Sequence, residues 1–178
     1  MLAKFIYFSV LGWKVKGTKN IENINRAVII AAPHTSWHDF YIGALFRSAI
    51  KLKANFIAKK SLFNPFTGWF FKFMGGWPVI RKNNEKQVQS IANMFIGKKH
   101  FILAISPEGT RQKVQKWKTG FYYIAKLADV PIVMITLDYK NKENKISKPF
   151  FPTDDIDSDF DYLQSYFKGV EGKIPKYS

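Results

Sequence analysis

With 178 residues, 47% of them hydrophobic and 17% aromatic, the chain can bury one proper core and is too apolar to be disordered, so one folded domain is expected. Cysteine is absent, which excludes disulfides, thiolate metal sites and a cysteine nucleophile. Twenty-eight Lys and Arg against thirteen Asp and Glu give a net charge of +15 and point to an anionic partner.

The charge is uneven. Between Lys51 and Ala128 fifteen basic residues face only Glu85 and Glu108, whereas residues 154 to 161 hold five aspartates. Nucleic acid, acidic headgroups and phosphorylated substrates all suit such a basic middle, and base-stacking modules mix lysines with rings as well. Seventeen Phe and five Trp favour lipid, because rings beside lysines suit a membrane interface.

Near the N-terminus, Lys4 precedes the apolar run FIYFSVLG. That run is too short to span a membrane and lacks a cleavage pattern, so it reads as an interfacial segment or a core element. Residues 26 to 33, RAVIIAAP, read as a strand buried on both faces of an α/β sheet and ended by Pro33. Thr35 or Ser36 then caps a helix with Trp37, Phe40, Tyr41, Ala44 and Leu45 turned inward, which leaves His34 in the loop and Asp39 in the first turns.

The stretch HTSWHD therefore places an imidazole and a carboxylate five positions apart. On a continuous helix such positions diverge by about 140°, so the two can meet only if the histidine precedes the helix and folds back. A histidine oriented by an acid is common machinery for taking a proton from a hydroxyl, in acyl or phosphoryl transfer. A helix-opening Asp also has a purely structural use, as a charge favoured at that end.

Residues 55 to 58 read as a second strand, followed by Lys59, Lys60 and the aromatic-dense SLFNPFTGWFFKFMGGWP. This reads as a helix-and-loop unit at a rim, with half or more of its rings in the core and the others free to meet acyl chains or membrane. Gly75, Gly76 and Pro78 turn the chain into Val79 and Ile80, with Arg81 at the exit. Asn83 or Asn84 caps a helix whose stripe is Val88, Ile91, Ala92, Phe95 and Ile96, ended by Gly97. The strand FILAI, residues 101 to 105, runs into the turn SPEGTR, at the kind of strand end where α/β sheets gather ligands.

A helix with Phe121, Ile124, Ala125 and Ala128 on one side follows, then a strand in VPIVMITLDY and a polar turn over 140 to 145. The acidic PTDDIDSDFDY is not a calcium loop, because counting from Asp155 puts Phe160 where glycine is needed and Tyr166 where the bidentate glutamate belongs. Asp157 or Ser158 instead caps a last helix through Phe160, Leu163, Tyr166 and Phe167. The chain shows no internal repeat.

Arg111 offers a planar fork for a phosphate, and Gly109 lets the backbone come close to it. Arg81 with Lys59 or Lys60 would complete an anion clamp, although lysines more often form a solvated face. Glu108 either orients Arg111, as in a simple salt bridge, or hydrogen-bonds a substrate hydroxyl.

The order HTSWHD, KKSLF with a following proline and GW, GGWPVIR, SPEGTR and VPIVMI resembles the glycerolipid acyltransferase family from about residue 26 to 150. The resemblance implies an α/β fold like that of glycerol-3-phosphate acyltransferase, a single domain with a mixed, largely parallel central sheet flanked by helices. Residues 1–25 would be an N-terminal interfacial segment, 26–150 the motif-bearing core and 151–178 a C-terminal helix and tail.

It further implies that His34 is the general base and that Asp39 orients it. The acceptor hydroxyl would attack an acyl thioester of coenzyme A or acyl carrier protein directly, with no acyl-enzyme, no cofactor and no metal. Arg81, Gly109 and Arg111, with Lys59 or Lys60, would bind the acceptor's phosphate, and Glu108 and Thr110 belong to the same motif. The implied acceptor is a lysophospholipid, 1-acylglycerol 3-phosphate before an amino-acid-bearing lysolipid; a non-catalytic basic module is the reading from another class.

No nucleic-acid partner is implied. The implied setting is peripheral, on the cytoplasmic side of the cell membrane and against its anionic surface. Two departures stand out: Met134 replaces a second proline usual in the family, and the chain starts only 33 residues before His34, where many relatives carry a longer membrane-associated region. Attachment is therefore expected through FIYFSVLGW, the aromatic unit around 62 to 77 and the basic surface together, because one short apolar stretch needs a second signal.

Overall fold

A computed structural model describes residues 2–79 and 85–178 of the chain. In chain order the elements are α1 (Leu2–Phe5), a π-helical turn (Ile6–Val10), β1 (Lys14–Lys16), β2 (Arg26–Ala32), α2 (His38–Ala49) and β3 (Ala54–Lys59). Then come α3 (Gly68–Phe73), β4 (Gly76–Val79), α4 (Glu85–Ala92), β5 (Phe101–Ile105), α5 (Gly120–Ala128), β6 (Ile132–Thr136), β7 (Glu143–Lys145) and α6 (Ile156–Ser165).

Five strands form one sheet in the order β4-β3-β5-β2-β6, with every ladder parallel. β1 and β7 pair in a second, two-stranded parallel sheet, and isolated antiparallel bridges such as Ile132 to Phe150 supply the mixed character. The continuous apolar run of β2 follows from its place between β5 and β6. Its side chains alternate between two cores: Ile29 packs with Tyr7, Ile42, Phe46 and Ile135, whereas Val28 and Ile30 pack with Phe95, Leu103 and Phe121. Ile30 sits opposite Ile105, so the loops leaving β2 and β5 emerge side by side at the sheet's carboxyl end.

Several elements differ from the sequence expectation. Helix α2 begins at His38, whose N–H donates to Ser36 Oγ at 3.3 Å, while the Thr35 hydroxyl takes the Ile174 N–H instead. Its inward stripe is Ile42, Phe46 and Ala49 with Leu45 beside them, while Trp37 and Tyr41 are each 54% exposed. The helix carries two equally regular apolar stripes about one position apart, and the packing against β2 selects the second.

Gly76–Val79 is an edge strand rather than a turn, where Pro78 costs no ladder bond. Part of the expected polar turn, Glu143–Lys145, is strand β7, because the buried amide of Asn144 bonds Thr136 O and accepts from the Tyr7 hydroxyl. Helix α6 is capped by Asp155, which accepts the Ser158 N–H at 3.1 Å, and not by Asp157 or Ser158.

In the aromatic unit no ring is fully buried, contrary to the expectation that half or more would be. The six-residue α3 is too short to turn many rings inward; Phe71 meets Phe40 and Phe63, and the others face outward. In α4 and the turn after it, Ile91, Ala92 and Phe95 are buried but Ile96 is exposed, since a 3₁₀ turn over Asn93–Phe95 shifts the helical phase. The capping role of Asn83 or Asn84, and the exit through Ile80 and Arg81, lie outside the described residues.

At the N-terminus Tyr7 and Trp13 belong to the core, whereas Leu2, Phe5 and Val10 are exposed. Among the described residues no helix is long and apolar enough to cross a membrane.

Candidate active site

Strand β2 delivers Pro33 and His34 to the sheet's carboxyl end, and residues 34 to 37 fold back over the start of α2. This brings His34 Nδ1 to 2.8 Å from Asp39 Oδ2. The same oxygen accepts the Thr35 and Ser36 backbone N–H groups, each at 2.8 Å. Asp39 thus does the work expected of a capping residue in reverse: from inside the first turn it gathers the donors of the loop before it.

The His34 side chain is 25% exposed and that of Asp39 1%, so the imidazole reaches the cleft and the carboxylate is sealed behind it. With Nδ1 committed to Asp39, Nε2 is the nitrogen left to take a proton. Burial pushes the Asp39 carboxyl up, but bonds from the His34 ring and the Ser36 N–H, with the Tyr139 hydroxyl beside it, hold it below the usual carboxylate range.

Tyr139 stands beside the Asp39 carboxylate. Asp39 Oδ1 and Tyr139 Oη are both buried without a partner among the described residues. Burial first, and then the Asp39 charge, raise the phenol's pKa.

Glu108 does not orient Arg111 through an ion pair; it holds the histidine loop instead. Its Oε2 accepts the His34 backbone N–H at 2.7 Å and the Ser106 hydroxyl at 3.2 Å, and among the described residues no ion pair joins it to Arg111. The adjacency of β2 and β5 explains this, since it sets the SPEGTR turn against the histidine loop. Burial raises the Glu108 pKa, against the lowering effect of those two donors.

Gly109 adopts φ +66°, and a Cβ there would lie 2.8 Å from the Lys118 side chain, which folds over the turn. Thr110 is half-buried and Arg111 exposed. A cleft of about 2220 Å3 takes in His34, Asp39, Lys59, Gly109, Thr110 and Arg111. Lys60, exposed in the turn after Lys59, is not among the lining residues, and Arg81 lies outside the described ones.

Other contacts of the site have no signal in the sequence. Ser36 Oγ lies 2.9 Å from His38 Nδ1, and the Trp37 and His38 rings are 4.0 Å apart. The C-terminal tail braces the histidine loop: the Ile174 N–H donates to Thr35 Oγ1 at 3.1 Å, and Gly172 lies against Thr35 and Pro33. Tyr139 follows a strand end, the one signal that could have found it; the tail gave none. Among the described residues no three His, Asp or Glu side chains are grouped to hold a metal ion.

The arrangement is an imidazole oriented by a buried carboxylate, facing a large, partly apolar cleft with basic groups on its rim. The family model described as Acyltransferase matches residues 12–138. The chain is 32% identical over 135 residues to the 1-acyl-sn-glycerol-3-phosphate acyltransferase of Streptococcus pneumoniae, a match covering 71% of this chain and 50% of that protein. It thus spans about half that relative's length. The crystal structure of the 1-acyl-sn-glycerophosphate (LPA) acyltransferase from Thermotoga maritima matches with a TM-score of 0.64 at 20% identity, over 94% of this chain and 76% of the other, which shows a shared fold.

Proposed function

Because the chain belongs to the acyltransferase family, we propose that it transfers a fatty acyl group from a thioester to the free hydroxyl of a lysophospholipid. The acceptor in this reading is 1-acylglycerol 3-phosphate and the product phosphatidic acid, as the name of the Streptococcus pneumoniae relative suggests. The observation that carries the reading is the His34 to Asp39 contact, with the imidazole open to the cleft and the carboxylate closed off.

The acceptor hydroxyl gives its proton to His34 Nε2 while its oxygen attacks the thioester carbonyl. Collapse of the adduct forms the ester, expels the thiolate and returns the proton from the imidazolium to sulfur. Asp39, kept ionised, stabilises the imidazolium in between. Arg111 and Lys59 supply positive charge at the cleft for the acceptor's phosphate, and Arg81 is assigned to the same set from its motif. Coenzyme A or acyl carrier protein carries the acyl group, and the enzyme works peripherally on the cytoplasmic side of the membrane.

Incubation with 1-acylglycerol 3-phosphate and either thioester, with products read by mass spectrometry, tests this. Phosphatidic acid is the expected product. No acyl transfer with either donor, to this acceptor or to a phosphate-free lysolipid, would overturn the proposal.

A further inference from the structure

Beside the cleft, the turn before α3 and α3 itself expose Phe66, Trp69 and Phe73 at 87%, 68% and 83%. Their spacing of three and four residues makes them one outward stripe, and Trp69 Nε1 donates to Phe66 O at 3.1 Å, which holds the first two together. A patch of large rings this exposed marks an interaction surface.

The tip that carries them satisfies several of its polar groups within itself. Asn64 Oδ1 accepts the N–H groups of Phe66 and Thr67 at 2.9 and 3.0 Å, the Thr67 hydroxyl donates to Leu62 O, and Gly68 N donates to Asn64 O at 2.7 Å. Backbone groups satisfied within the segment are the condition for placing a loop in an apolar phase, where water no longer serves them.

The charge around the stripe has one sign. From Phe40 to Asn84 the sequence holds no acidic residue, and Lys59, Lys60 and Lys72 are exposed next to the rings. On the inner side of the same unit Leu62, Phe71 and Met74 line the cleft that holds His34. One short segment therefore joins exposed rings, lysines and the wall of the candidate site.

We propose that this segment is a membrane-docking lip: Phe66, Trp69 and Phe73 enter an anionic bilayer, Lys59, Lys60 and Lys72 meet its headgroups, and the cleft opens onto the bilayer surface. The inference rests on the lysophospholipid reading above and adds where the acceptor enters, laterally from the lipid phase along Leu62 and Phe71. A single-stranded nucleic acid would stack bases on such rings, but the same segment walls the cleft read as a lysophospholipid site, so the bilayer is the occupant that uses rings, lysines and cleft together.

The test compares the wild type with the triple variant Phe66→Ser, Trp69→Ser, Phe73→Ser, whose sites are exposed and do not line the cleft. Sedimentation with vesicles of equal phosphatidylglycerol and phosphatidylcholine is predicted to show wild-type binding that weakens roughly tenfold or more in the variant, and that is also weaker on pure phosphatidylcholine. Both proteins should acylate a water-soluble short-chain lysophosphatidate at equal rates.

Equal vesicle binding by the two proteins, or no wild-type binding, would overturn the lip. So would lipid-free self-association through the same three rings, or loss of turnover on the soluble acceptor by the variant alone. Failure of both proteins to acylate the soluble acceptor, with vesicle binding as predicted, would instead sink the acyltransferase reading and leave the surface standing.

Discussion

The backbone N–H of His34 donates to Glu108 Oε2 at 2.7 Å, so the acidic residue of one motif holds the main chain of the histidine in the other. Glu108 thus braces the His34 loop, while Arg111 and Lys59 line the cleft apart from it. Its pKa is raised by burial, so the folded state favours the protonated form. The stability this contributes is full below the unfolded carboxylate value, about 4.3, and is lost as pH rises through the folded one.

Two substitutions follow from that sign. Glu108→Gln keeps an oxygen for His34 and removes the buried charge, so at pH 7 it should melt at or above the wild-type temperature. Glu108→Ala orphans the His34 N–H and should cost about 1–3 kcal/mol. Thermal melts across pH separate the two, and a marked drop for Glu108→Gln at neutral pH would contradict this role.

Asp39 carries the opposite sign. Its depressed pKa means stability present above the unfolded value near 3.9 and lost as pH falls through a folded value lower still. Asp39→Asn should remove that acid-side loss from the melting curve and lower kcat by a factor on the order of 10²–10⁴, through the misdirected imidazole. Tyr139→Phe deletes the hydroxyl beside Oδ1, so the acid-side loss should move to higher pH and kcat fall by about 2–10-fold with KM unchanged.

The tail offers a steric prediction. A Cβ on Gly172 would lie 2.6 Å from Thr35 Oγ1 and Cγ2 and 3.2 Å from Pro33 Cγ. Thr35 is buried and held by Ile174, so it has little room to move. Gly172→Ala should destabilise by about 1–3 kcal/mol and loosen the histidine loop, read as faster hydrogen exchange of the Thr35 and Ser36 amides.

Arg111 should discriminate between acceptors. Arg111→Ala is predicted to raise KM for 1-acylglycerol 3-phosphate roughly 10- to 100-fold while leaving a phosphate-free lysolipid nearly unaffected. Equal losses on both acceptors would remove the phosphate assignment.

Much of this was legible because it is local. Strand β2 announces itself through an unbroken apolar run, and HTSWHD carries its own geometric condition, a histidine placed before the helix, which the loop over Asp39 meets. The phase of α2 was not legible, since the stripe through Trp37 and Tyr41 and the one through Ile42 and Phe46 have the same spacing and only packing selects between them.

Contacts between distant segments left no trace either. Glu108 reaches His34 across 74 positions because two strands happen to be neighbours, and Thr35 meets Ile174 across 139. The rings around α3 were misjudged for a different reason. Composition reports how many rings a segment has, and the length of the helix beneath them decides how many can turn inward.

The most direct test of the central claim is single-turnover acyl transfer by His34→Ala, with a radiolabelled thioester and 1-acylglycerol 3-phosphate. The substitution keeps the backbone N–H that Glu108 accepts, so the fold should persist by circular dichroism. The predicted result is a loss of transfer by a factor on the order of 10²–10⁴. Undiminished turnover in the folded variant would contradict the assignment of His34 as the base.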